Sequence, residues 1–151
     1  MSRLCILAVI VFAFNHYSNS QSTSISGKLL TDPFTKIEMH LSAFGVESDD
    51  FPSIDVNIDF VNNSSNCRKW FYNPAFKDSI YSFSKPVTDS ILQILKKTDW
   101  EKIKKEYTVQ KSDQPASTII IFTENRKFVI KDYGLKGDDP LQELYKIGYK
   151  F

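Results

Sequence analysis

Residues 54–61 read IDVNIDFV. Ile54, Val56, Ile58 and Phe60 alternate with Asp55, Asn57 and Asp59. A period of two puts all the apolar side chains on one side of an extended chain and the polar ones on the other. The segment is therefore a strand with one buried face, and the sheet containing it needs a layer of other elements over that face. Residues 62–66 (NNSSN) are a turn cluster, because short polar side chains can bond their own backbone there. Residues 67–72 (CRKWFY) then return as the second arm of a hairpin. Upstream, residues 36–44 alternate too: Ile37, Met39, Leu41 and Ala43 share one face, and Glu38, His40 and Ser42 the other. An acidic, Pro-containing loop, residues 45–53 (GVESDDFPS), joins the two strands. Residues 79–84 can form a short fourth strand.

Past residue 85 the period changes. Val87, Ile91, Ile94 and Leu95 recur at three- and four-residue steps, which predicts a helix over residues 86–97. Pro86 suits its first turn, and Lys96-Lys97 suit the negative end of its dipole. Thr98 and Glu101 have the spacing of a capping box and predict a short second helix, with Trp100, Ile103 and Tyr107 on one face. Residues 111–116 (KSDQPA) turn the chain. Residues 118–123 (TIIIFT) are β-branched and nearly all apolar, which predicts a central strand covered on both faces. Residues 127–133 return as its hairpin partner. Asp138-Asp139-Pro140 then has the order of an N-cap followed by a proline in the first turn, with Leu141, Leu144 and Tyr145 as an apolar helical face. The alternation of Tyr145, Ile147, Tyr149 and Phe151 leaves a short C-terminal strand as an alternative ending. A transmembrane barrel needs at least about eight long alternating strands, more than the chain provides. Strands grouped apart from helices give an α+β fold, a largely antiparallel sheet with helices packed on one face.

The ends of the chain bear on compartment. Arg3 precedes eleven apolar residues, 4–14, too few to span a bilayer as a helix. A basic flank, a short apolar run and Ser18-Asn19-Ser20 predict a signal peptide over residues 1–20. Residues 21–35 then form a loose leader and residues 36–151 a single domain. The product would be secreted or periplasmic, with no transmembrane segment after cleavage. Cys5 sits near the start of the apolar run, not after it as lipidation requires. Arg3 is the only charged residue lost, so 18 basic residues would face 18 acidic ones. A neutral chain has no field for steering nucleic acid, so none is expected as a partner.

The chemistry-bearing residues are few. Of 151 residues, 42% are hydrophobic and 25% charged, as in ordinary globular domains. No nucleotide loop, nucleophile elbow or metal-ligand cluster is present, so no cofactor or metal is expected. Glu47, Asp49 and Asp50 cluster in a loop, and Asp55 and Asp59 share a strand face; neither set has calcium-loop spacing. His40 is the sole histidine after cleavage. A Cys67–His40 dyad would require neighbouring strands, and Cys67 lacks the surroundings of known catalytic cysteines. With Cys5 removed, Cys67 is left as a buried small hydrophobe, an intermolecular bridge to a partner or a reactive thiol. Arg68, Trp70 and Tyr72 alternate on the face opposite Cys67. They read either as an exposed row for a protein or a stacked sugar, or as core aromatics with Arg68 at the rim. Asn62 and Asn63 each open a sequon, of use only in a eukaryotic secretory pathway.

One order of features goes further. A strand and turn precede a Ser-led helix carrying Ile-Leu. Trp100 comes before Ile103 and Tyr107, followed by Asp113-Gln114-Pro115. A hairpin then ends in Asp132-Tyr133-Gly134, and Pro140-Leu141 opens a last helix. This order resembles an uncharacterised family of small exported α+β domains, a domain of unknown function common in Bacteroidota, over residues 54–147. Members tend to carry Asp-x-Pro before the hairpin and an aromatic-Gly after it. Many have a Cys-Pro-rich hairpin near the front, where this chain has Asn66-Cys67-Arg68. The resemblance implies an exported domain in a bacterial envelope and brings no activity with it. The expectation is a non-catalytic binding domain for a protein or glycan. Its alternatives are an envelope hydrolase using His40 with an acidic residue, and an inhibitor or immunity-like partner of a secreted enzyme.

Overall fold

The computed structural model describes residues 32–44, 46 and 50–150. The expected signal peptide, most of the leader, part of the acidic loop and Phe151 lie outside them. Among the described residues, seven strands and two helices follow one another as β1 (Phe34–Ser42), β2 (Ser53–Asp59), β3 (Ser64–Trp70), β4 (Ser79–Tyr81), α1 (Lys85–Lys97), β5 (Glu106–Thr108), β6 (Ala116–Thr123), β7 (Lys127–Tyr133) and α2 (Asp139–Gly148). They make one sheet in the order β4-β3-β2-β1-β6-β7-β5. All neighbours are antiparallel except β5, which runs parallel to β7. The fold is α+β, rich in strand and with few helices.

The alternation along the strands sets the register. Ile37 lies opposite Ile58 and Ile121, and Met39 opposite Val56 and Ile119. All of these are buried. Strands β1, β2 and β6 thus send rows of aliphatic side chains to one core, where Ile130 of β7, Ile91 and Leu95 of α1, and Leu141 and Leu144 of α2 join them. α2 lies close against β1: a Cβ on Gly148 would fall 2.7 Å from the Met39 Cε. The Tyr149 hydroxyl shares a 2.7 Å hydrogen bond with Ser117 of β6, which anchors the end of the helix.

Three expectations are corrected. The segment after Thr98 is a turn and not a helix: the Thr98 hydroxyl donates to the Ile94 carbonyl, finishing α1 where an N-cap was expected. Trp100 is buried there, its Nε1–H donating to the Leu95 carbonyl at 2.9 Å. Tyr107 sits in the short parallel strand β5, where its hydroxyl donates to Asp138 at 2.5 Å. Finally, β6 is fully buried on one face only. Ser117, Ile119, Ile121 and Thr123 are inside, while Thr118, Ile120 and Phe122 are half-buried. The C-terminal alternative also resolves: Tyr145 and Ile147 belong to α2, and Tyr149 caps it.

Candidate functional site

Because β1 lies near the middle of the sheet, its polar face meets polar residues from both sides. One row is in direct register across six strands: Lys131, Thr118, His40, Asp55, Arg68 and Ile80. Directly opposed side chains on one face stand about 5 Å apart, close enough to interact. His40 Nδ1–H donates to Asp55 Oδ1 at 2.5 Å, and each side chain keeps about half its surface in solvent, 49% and 47%. The carboxylate fixes the imidazole's orientation and leaves Nε2 for another contact.

Next to this pair, the Arg68 guanidinium lies 5.1 Å from the centre of the Trp70 ring. An Arg68 Nη2–H also reaches Asp78 Oδ2 at 3.3 Å. The His40 ring is 6.0 Å from the Trp70 ring, tilted by 33°. A shallow concavity of about 520 Å³ opens over the row, lined also by Glu38, Asn57, Asn66 and Ile120. Donors, acceptors and a flat aromatic therefore converge on one wall of rigid strands. Such a wall can orient a polar ligand. His40 with Asp55 can also exchange a proton with one, with Thr118 as the hydroxyl opposite in register.

The two readings of the Arg68, Trp70 and Tyr72 row both need amendment. Trp70 is half-buried and Arg68 exposed, so neither is core. Tyr72 lies past the end of β3 and is 96% exposed, so the alternation does not carry it into the same wall. Of the acidic pair on β2, only Asp55 faces the site as a partner. Asp59 caps the following turn, accepting from the Val61 and Asn62 amides and the Asn62 side chain. These bonds hold its carboxyl below the usual range.

Cys67 is fully buried on the opposite face. The Cys67–His40 dyad fails on geometry, since β2 lies between the two strands and the side chains face opposite ways. Burial also pushes the thiol up to about 11, away from a nucleophile's range. Of the three readings of Cys67, its burial fits the buried small hydrophobe and keeps it out of reach of a partner's thiol while the sheet is intact.

In the sequence, Asp132 reads only as part of a hairpin's end, with no role of its own. Asp132 is 1% exposed and accepts from Gly137 N at 2.6 Å, Lys136 N at 2.9 Å and the Tyr145 hydroxyl at 2.8 Å. It ties the exit of β7 to α2. Its signal was present: Phe128, Ile130 and Asp132 share parity, so the strand aims a carboxylate into the core. Among the described residues, no group of three or more His, Cys, Asp or Glu side chains could hold a metal ion. No described helix is long and apolar enough to cross a membrane. No protein-family model matches the chain, and no curated protein or solved structure shows significant similarity to it.

Proposed function

We propose that the chain is an exported, non-catalytic binding domain. In this reading it meets a protein or glycan with the polar sheet face around His40, Asp55, Arg68 and Trp70, while the two helices pack on the opposite face. The observation that carries the reading is the six-strand row in register, with the half-exposed His40–Asp55 pair beside the stack of exposed Arg68 on half-buried Trp70. Arg and Trp are the side chains that most often dominate binding surfaces, and strands hold them without an ordering penalty on association. The chain then works outside the cytoplasm after removal of residues 1–20, among the small exported domains of Bacteroidota.

The test is a glycan array and a set of envelope proteins titrated against the native protein and its Arg68→Ala and Trp70→Ala variants. A ligand on this face should lose about tenfold or more in affinity in either variant, as hot-spot truncations do. The urea midpoint should stay close to wild type. Affinity unchanged in both variants would remove the face from the reading. An N-terminus at Gln21 in the protein recovered from its host would support export, and an intact Met1 would refute it.

The 2.5 Å His40–Asp55 bond favours one second reading, a hydrolase in which Asp55 orients His40 as general base. It requires turnover that disappears in His40→Ala while the fold persists.

A further inference from the structure

Strand β7 uses its main chain unevenly. Its even-numbered positions bond to β6, a pattern visible at both ends of the hairpin, where Thr123 N donates to Arg126 O and Gly134 N to Pro115 O. The N–H and C=O groups of the odd-numbered positions therefore point the other way, toward the outer edge. At Lys131 and Tyr133 that edge is taken by the β5 segment: Lys131 N donates to Lys105 O, and Val109 N to Tyr133 O. β5 pairs only with Lys131, Asp132 and Tyr133. The main-chain groups of Lys127 and Val129 face outward with no strand opposite them among the described residues.

What stands opposite is a groove of about 410 Å³, walled on its far side by Trp100, Glu101, Ile103 and Lys105. Its near wall is Lys127, Phe128, Val129 and Ile130. Phe128 and Ile130 face the core side, and Lys127 and Val129 the polar side. The four near-wall residues span about 13 Å at 3.3 Å per residue, the length of a short strand.

We propose that this groove is a strand-addition site for an extended segment of a partner protein, in which apolar residues alternate with Asp or Glu. The main-chain groups of Lys127 and Val129 repeat every second residue, which is the repeat of another backbone. An added strand sends alternate side chains to opposite faces. One set would meet Phe128, Ile130 and Ile103, and so should be apolar. The other would lie beside Lys127, with Lys105 at the rim, and so should be acidic. Glu101 competes little for these lysines, because Arg126 Nη1–H already holds its carboxylate at 2.5 Å. A second copy of this chain fits poorly, since edge-to-edge pairing would set Lys127 and Lys105 against their own copies.

The test is selection of displayed random octapeptides on the full-length protein, followed by amide exchange of the isotopically labelled protein with the best synthetic peptide. Enriched peptides should alternate apolar residues with Asp or Glu. Exchange at the Lys127 and Val129 amides should slow about tenfold or more on binding, as for newly hydrogen-bonded edge groups. Val129→Pro removes one outward N–H that the sheet does not use, so it should weaken binding about tenfold or more while circular dichroism stays native. Should that variant unfold, Lys105→Glu with Lys127→Glu carries the test, by switching the preference from acidic to basic peptides. No enrichment over an unrelated protein, winners without alternation, or protection confined to the His40–Trp70 face would each overturn the proposal. So would charge reversal that leaves the peptide preference unchanged.

Discussion

Replacing Asp132 should destabilise this fold more than any surface substitution. The carboxylate is buried and held by three donors, two backbone amides and a hydroxyl. Asp132→Ala leaves the Gly137 amide inside the protein without an acceptor, and the Tyr145 hydroxyl with only Ser117 beside it. Each such loss costs about 1–3 kcal/mol. The Lys136 amide is only part-buried, so water can replace its bond. Relief from burying a charge offsets some of the loss. The net expectation is about 3–5 kcal/mol, a large part of the roughly 5–15 kcal/mol typical of a small domain. Asp132→Asn keeps one acceptor oxygen and turns a second N–H toward the donors, so about 1.5–3 kcal/mol is expected. Urea unfolding followed by far-UV circular dichroism measures both, with an unchanged slope showing that the transition stays two-state. A cycle with Tyr145→Phe adds a sharper check. With Asp132 present the lost hydroxyl should cost about 1.5–3 kcal/mol; in the Asp132→Ala background only its contact with Ser117 is left to lose, and removal should cost about 1 kcal/mol or less. An Asp132→Ala penalty below about 1 kcal/mol, or an additive cycle, refutes the role of Asp132 as the clasp between β7 and α2.

Four further outcomes follow from the geometry. Gly134 has φ +96, and an added Cβ would fall 2.5 Å from Val109 Cγ2, so Gly134→Ala should lose about 1–3 kcal/mol in urea unfolding. The Cys67 thiol titrates near 9 when unfolded and near 11 when buried, so its contribution is intact below pH 9 and is lost as pH climbs toward 11. Tyr145 and Tyr149, also raised by burial, act with the same sign, so the thiol's share is the flattening of that decline in Cys67→Ala. Acrylamide should quench the half-buried Trp70 and spare Trp100, which is 3% exposed; Trp70→Phe should abolish the quenchable fraction of the emission. Asp55→Ala should change the unfolding free energy by less than about 1 kcal/mol, since its pair with His40 is half in solvent.

Residues with a clean period were readable. The alternation of residues 54–61 and 36–44, the helical step through Ile91 and Leu95, and the proline after Asp138-Asp139 all appear in the fold close to where the sequence puts them. Local signals misled where tertiary contacts decide. Thr98 and Glu101 have capping-box spacing, but Thr98 instead closes α1, and Trp100 is drawn back under the Leu95 carbonyl. β5 has three residues and gains its pairing from β7, so no local pattern announces it. For β6, apolarity stood in for burial: Ile120 and Phe122 are apolar yet only half covered. The His40–Asp55 pair needed register, not composition. Both residues were visible on polar strand faces, but only the pairing of β1 with β2 sets them opposite each other. Tyr72 shows the reverse limit, since a strand that stops at Trp70 ends the alternation before reaching it.

The place of β1 in the sheet has a consequence for synthesis. The first described strand lies between β2 and β6, and β6 begins 74 residues after β1 ends. Chains emerge at about 5–20 residues per second, so β1 waits roughly 4–15 s for its second neighbour. In that interval β1 to β4 can pair as a meander, while the edge of β1 and its Ile37, Met39 and Leu41 have nothing from β6 to cover them. The nascent chain is therefore most prone to wrong strand pairing before the β6–β7 hairpin arrives, and docking of that hairpin onto β1 is the step that closes the window.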